Sequence, residues 1–354
     1  MRLGLGLYKS LLNDNNFRFA KQAGATDIVV QLVDYVKGGD SPRLTLNYLD
    51  GWGVTKNKGK YWTYEELRSL REEIESHGLR LAAIENFDPA HWYDILLDGP
   101  EKTSQMEALK QMLRDIGRAG IPMMGYYFSL AGVWGWSSRD SGRGSAKSVE
   151  FNQAAVVIDR PIPKGMVWNM QYDEDQSGEV SPVGRKEMWE RLTYFLGEML
   201  PVAEDAGVRL VAHPDDPPVP KLRRTARLFY QPNEYEKLLD ISSSPANGFE
   251  LCMGTIQEMS QGDVYSFLDK HSSMNNIGYI HFRNVVGKVP HYREAFVDEG
   301  DIDMVRALRI LKKNNYNGIL IPDHTPEMSC NAPWHAGMAF ALGYMRGAMQ
   351  AIED

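Results

Sequence analysis

Short runs of β-branched and other apolar residues alternate with amphipathic stretches from one end of the chain to the other. The runs that read as strands are 3–7, 27–32, 80–84, 123–128, 209–212, 248–251, 277–282 and 318–322. Between them, apolar residues recur at helical spacing over 64–77, 104–119, 186–206, 304–314 and 335–352. Thr63 followed by Glu66 forms a candidate capping box at the start of one helix. Gly78, Gly120 and Gly207 each stand just past a predicted helix and just before a predicted strand, where a left-handed residue ends the helix.

Eight strands alternating with helices predict a closed parallel (β/α)8 TIM barrel, with 1–354 as a single domain. An open doubly wound sheet would need a glycine-rich phosphate loop after the first strand. In LGLGLYKS, Gly4 and Gly6 instead fall inside that strand. One stretch breaks the alternation. Residues 131–182, following the fourth strand, are rich in Gly, Ser, Arg and Trp and then polar, with no clear helix. A structureless stretch of that length is functional or disordered as a rule. Its place on the face where barrels hold their sites makes it a lid or an oligomer contact.

Composition narrows the class. With 43% hydrophobic and 24% charged residues, 354 residues can bury a large core without disulfide staples. Against 39 Lys+Arg stand 47 Asp+Glu, a net charge of −8, which disfavours nucleic acid as a partner. No apolar run approaches the roughly 20 residues of a membrane helix. The N-terminus lacks the apolar core and cleavage site of a signal peptide, and two cysteines are too few for a disulfide framework. A cytoplasmic protein with reduced thiols is expected, as a homo-oligomer (dimer or tetramer).

The chemistry concentrates at the ends of four consecutive strands. His213 follows the fifth, Cys252 the sixth, His281 ends the seventh, and Asp323 follows the eighth. Neighbours in this series are roughly 30–40 residues apart, about one βα unit of a barrel, so their side chains converge on one mouth. Alone, a histidine or cysteine near a strand end more often packs, and Asp323 alone would read as a helix cap. Together, two neutral imidazoles, a thiolate and a carboxylate carry −2 and match a divalent cation. The set is too soft for calcium or magnesium, leaving manganese, iron, cobalt or zinc. On tetrahedral zinc four protein ligands would close the site. Six-coordinate Mn2+ or Fe2+ would leave two positions open for a chelating substrate.

Acid–base and substrate-binding candidates surround this set. His324 adjoins Asp323 and suits proton transfer. Arg283 shares the side-chain parity of His281 and is a candidate clamp for a carboxylate, or an ion-pair partner of the 215–216 loop. Glu85, ending the third strand, is a base, a hydroxyl binder or a salt-bridge residue. Trp134 and Trp136 offer a face for a sugar or a packed loop core. His77, His91, His271 and His291 read as surface or helix-end residues.

HPDDPP at 213–218, C-x-G-T at 252–255, HFRNV at 281–285 and PDH at 322–324 resemble the signatures of the mannonate dehydratase family, a group of xylose-isomerase-like TIM barrels. The resemblance implies removal of water from D-mannonate to give 2-keto-3-deoxy-D-gluconate, with Mn2+ or Fe2+. It implies His213, Cys252, His281 and Asp323 as metal ligands, a catalytic role for His324 and substrate binding by Arg283. The loops nearest the substrate differ. Tyr127-Phe128-Ser129-Leu130 stands where the family has an Asn-Phe-Met-Pro-like stretch. Gly135-Trp136-Ser137-Ser138-Arg139 replaces an Asp-Trp-Thr-Arg-Thr-like loop. Pro333-Trp334-His335 lies where a catalytic tyrosine is expected, making His335 its candidate substitute. The expected activity is a metal-dependent lyase acting on mannonate or a related aldonate. The competing readings are a metal-dependent isomerase or epimerase of a sugar or keto-sugar, and a non-catalytic sugar-acid binder.

Overall fold

The computed structural model describes residues 1–33 and 53–353. Eight parallel strands close a barrel: β1 Arg2–Tyr8, β2 Asp27–Gln31, β3 Arg80–Ile84, β4 Met123–Tyr126, β5 Arg209–Ala212, β6 Asn247–Cys252, β7 Ile277–His281 and β8 Ile319–Ile321. Each strand neighbours the next in sequence, and β8 pairs with β1. Helices packed outside link them, as the alternating pattern predicts. The Thr63–Glu66 capping box is present at the helix Tyr64–Ser76, and Gly207 adopts φ +66° past the helix Arg185–Ala206. The helix Pro89–Leu97 has no amphipathic signature, because eight of its nine residues are buried on all sides.

Because strand side chains alternate between faces, every second residue enters the barrel. Val29, Ala83, Met123, Val211, Tyr279, Ile319 and Ile321 make its apolar floor. Two residues further along the same strands come Gln31, Glu85, Gly125, His213, His281 and Asp323, the layer that faces the mouth. Glu250, two residues before Cys252, also enters the barrel and is fully buried. Gly125 makes room for it, since a Cβ there would lie 2.5 Å from Glu250 Oε2 and 2.9 Å from the Tyr279 hydroxyl. Gly125→Ala is therefore expected to destabilise the fold by about 1–3 kcal/mol through overpacking, read as a lower urea midpoint.

Residues 131–182 are structured. Trp136–Arg139 and Ser148–Asn152 join the hairpin Asn284–Lys288/His291–Ala295 in a four-stranded antiparallel sheet over the barrel mouth. Met166–Val167 and Met170–Gln171 add to a second small sheet with Gly53–Val54. The strands are short and partly polar, and the outer partners that complete the two sheets, His291–Ala295 and Gly53–Val54, lie over a hundred residues away, so local pattern does not disclose them. Two histidines expected near the surface are also buried. His91 sits under Tyr61 and Trp62 with Nε2 donating to the Lys60 carbonyl, and His271 packs on Phe249 and Phe267, where burial holds it neutral at about 4. No helix among the described residues is long and apolar enough to cross a membrane.

Candidate active site

The strand ends bring His213, Cys252 and His281 together, with donor atoms within 4.8 Å of one another. Register does this: Cys252 and His281 are direct partners across β6 and β7, and His213 follows β5 next door. Asp323 joins from the far side of β7, its Oδ2 3.6 Å from His281 Nδ1.

Neighbouring groups fix which ring nitrogens face inward. His213 Nδ1 donates to the Pro214 carbonyl at 2.6 Å, so its Nε2 carries the lone pair. His281 Nε2 donates to Glu85 Oε2 at 3.2 Å, with Glu250 Oε1 at 3.1 Å. Its Nδ1 is buried without a hydrogen-bond partner, facing Asp323. Carboxylates behind a histidine orient it and raise its basicity toward a metal. Burial alone would push the Cys252 thiol up, but the Arg283 guanidinium and the two imidazoles bring it down to about 5, a thiolate. His213 is raised to about 9: burial opposes this, and Cys252 and Glu250 outweigh it. A site whose imidazoles are drawn toward carrying protons is one that favours positive charge. The donor set, its orphaned nitrogen and its net negative charge fit a divalent cation.

Arg283 sits behind this cluster, almost fully buried. Nη2 donates to Asp216 Oδ2 (2.8 Å), Glu258 Oε1 (2.5 Å) and Thr255 Oγ1 (3.2 Å). Nη1 faces Asp323 Oδ2 and His324 Nε2, each at 3.5 Å. The guanidinium thus offers the cavity one edge rather than a free fork. The recognised motifs serve this arrangement. Gly254 of C-x-G-T lets Arg283 pass, since a Cβ there would lie 2.4 Å from its Nε. Thr255 donates its hydroxyl to Asp216 and its amide to Cys252 Sγ. Asp215 of HPDDPP accepts from the amides of Leu228 and Phe229 and pairs with buried Arg227 at 2.8 Å.

A cavity of about 770 Å³ opens above, lined among others by His213, His281, Asp323 and His324. Glu85 lies at its base, bonded by Gln31 Nε2 at 2.8 Å. Trp136 lines the wall, donates to the Tyr292 hydroxyl at 3.0 Å and stands edge-on to His324, whereas Trp134 is packed in the core beneath. His335 does not join them. The helix Pro333–Ala351 turns it toward Asn16 Oδ1 at 2.9 Å and edge-on to Phe19, while Pro333, Trp334 and Met338 of that helix line the cavity. At about 100° per residue, consecutive helical residues cannot all face one space.

His324 Nδ1 is in close ion-pair contact with Glu294 Oε1, and its Nε2 lies 3.3 Å from Asp323 Oδ2. Burial would lower its pKa, but Asp323 and Glu294 prevail and raise it to about 9. Sequence reasoning missed Glu250, Glu258 and Glu294. For Glu250 a signal exists, its parity with Cys252 in a strand of a closed barrel. Nothing local marks Glu258 or Glu294, whose partners arrive from other parts of the chain.

A family model described as D-mannonate dehydratase (UxuA) matches residues 17–354. A mannonate dehydratase of Streptococcus equi subsp. zooepidemicus is 28% identical over 279 residues, 75% of each chain. The solved mannonate dehydratase of Streptococcus suis serotype 2 has the same fold, with TM-score 0.77 and 24% identity over 99% of this chain and 93% of that one. A xylose isomerase domain protein from Planctomyces limnophilus shares the barrel at TM-score 0.59 and 13% identity, over 99% and 98%. With nearly its whole length matched by the family model, and with the motif residues gathered at one barrel mouth, the chain belongs to the D-mannonate dehydratase family.

Proposed function

We propose that this protein is a metal-dependent hydro-lyase that removes water from a sugar acid, D-mannonate or a related aldonate, to give a 2-keto-3-deoxy acid. The observation that carries it is the cluster of His213, Cys252 and His281, with Asp323 Oδ2 3.6 Å from His281 Nδ1 and His324 beside it, bordering a cavity of about 770 Å³. These four residues would hold Mn2+ or Fe2+, which leaves room for substrate oxygens where zinc would close. When bound, the ion supplies Lewis acidity that stabilises charge growing on the substrate carboxylate as the α-proton leaves.

The chain's own residues do the rest. His324, lining the cavity, would transfer the proton through Nε2, taking it from the α-carbon or giving it to the departing β-hydroxyl. Arg283 Nη1 adds positive charge where the carboxylate binds. Glu85 and Trp136 line the floor and wall that hold the sugar hydroxyls and chain. The insertion 131–182 acts as a fixed wall that excludes water. In the balanced reaction, one C–H and one C–O bond break, water leaves, and the enol formed ketonises.

The test is turnover of an aldonate panel by Mn2+-loaded protein. A 2-keto-3-deoxy acid is expected, and chelation should abolish its formation until Mn2+ is returned. Exchange of the α-hydrogen with solvent and no loss of water would instead assign an isomerase or epimerase.

A further inference from the structure

Glu294 is a buried carboxylate, 4% exposed, on a hairpin that belongs to no part of the barrel. Among the described residues no lysine or arginine pairs with it; its partner is His324 Nδ1. A carboxylate can only accept, so Nδ1 must carry the hydrogen. Nε2 is thereby the nitrogen left facing the side of Asp323 and Arg283 Nη1. The ring is fixed from a second direction by Trp136, edge-on at 5.5 Å between centroids.

The insertion places both groups. Trp136–Arg139 carries Trp136, whose indole is tied to Tyr292 two residues before Glu294. The Ser148 hydroxyl donates to the Glu294 carbonyl at 2.6 Å, and Arg293 pairs in register with Glu150. Resting on the dehydratase reading, we propose that Glu294 is a positioning residue: it holds His324 in the tautomer and orientation that present Nε2 to the substrate, and the sheet built by residues 131–152 exists to place it.

The experiment compares the Mn2+-loaded wild type with Glu294→Gln, Glu294→Asp, His324→Gln and the double variant Glu294→Gln/His324→Gln. Measured quantities are kcat, KM, bound metal and thermal midpoint. For Glu294→Gln, kcat is expected to fall about 10²–10³-fold, the scale of a lost acid–base function, with KM, metal content and midpoint near wild type. Glu294→Asp should recover part of the loss. In the His324→Gln background, Glu294→Gln should cost nothing further. A Glu294→Gln kcat equal to wild type overturns the proposal, as do additive losses in the double variant. So does a loss of activity that only tracks lost metal or stability. Should the wild type exchange the α-hydrogen without releasing water, the dehydratase reading fails instead, and the same variants are read on the exchange rate.

Discussion

His281→Ala is expected to purify without its divalent ion and to lose at least about 10³-fold in kcat/KM, because several kcal/mol of charge stabilisation disappear with the metal. His281 is central for geometric reasons. It is the residue whose ring touches both sides of the site, Nδ1 facing Asp323 and Nε2 resting on Glu85 and Glu250. Removing it takes away one proposed ligand and a donor to the buried Glu85 and Glu250, although Glu85 keeps Gln31 Nε2. Cys252→Ala should behave alike, while Cys252→Ser, which offers a poorer donor than a thiolate held at about 5, should bind more weakly than wild type. Elemental analysis beside the turnover assay checks this. The control is Cys330→Ala: that thiol is exposed and outside the donor cluster, and its loss should change neither metal content nor rate. Full metal occupancy in His281→Ala would show that the ion binds elsewhere.

Arg283→Met should destabilise the fold by about 3–5 kcal/mol, the cost of leaving a buried charge without its partner. Three carboxylates meet this one guanidinium, Asp216 and Glu258 at Nη2 and Asp323 at Nη1. Burial alone would raise Asp216, but Arg283 and the Tyr292 hydroxyl, donating at 2.5 Å, hold it below its usual value, so it carries the charge. Burial pushes Glu258 well up, Asp216 adding to this despite Arg283. In the variant, Asp216 keeps its hydrogen bonds from Thr255 and Tyr292 but loses its counter-ion. Asp216 has a depressed folded pKa, so the stability it contributes is present above its unfolded value near about 4 and is lost as pH falls through the folded one. The gap between wild type and variant in urea unfolding should therefore be widest near neutral pH and shrink in acid. An equal gap at every pH would mean that lost packing, not lost charge, is responsible.

Much of this was readable from single residues. The eight strands, their order of appearance and the glycine-marked helix ends follow from hydrophobic period and turn chemistry, which are local. Placing His213, Cys252, His281 and Asp323 at one mouth needs one further step, that consecutive strand ends of a closed parallel barrel are neighbours. HPDDPP and C-x-G-T were legible as motifs, though not their internal work, in which Asp215 braces a loop through Arg227 and Gly254 clears a path for Arg283.

Arg283 and His335 show where such reading stops. Parity correctly put Arg283 on the side of His281, yet its Nη2 was already committed to Asp216 and Glu258 from two other segments. His335 was judged by its place in the chain, and the rotation of its helix turned it to Asn16. The sequence by itself determined the barrel, its handed order of strands and the type of donor each strand end supplies, because those depend on periodicity within a few residues. Only the tertiary structure decided which nitrogen of each histidine faces inward, that Glu250 and Glu294 stand behind them, and that strands within residues 131–182 join two small sheets. Those outcomes depend on which atoms from distant segments meet within hydrogen-bond range, and no local pattern encodes a distance across the barrel mouth.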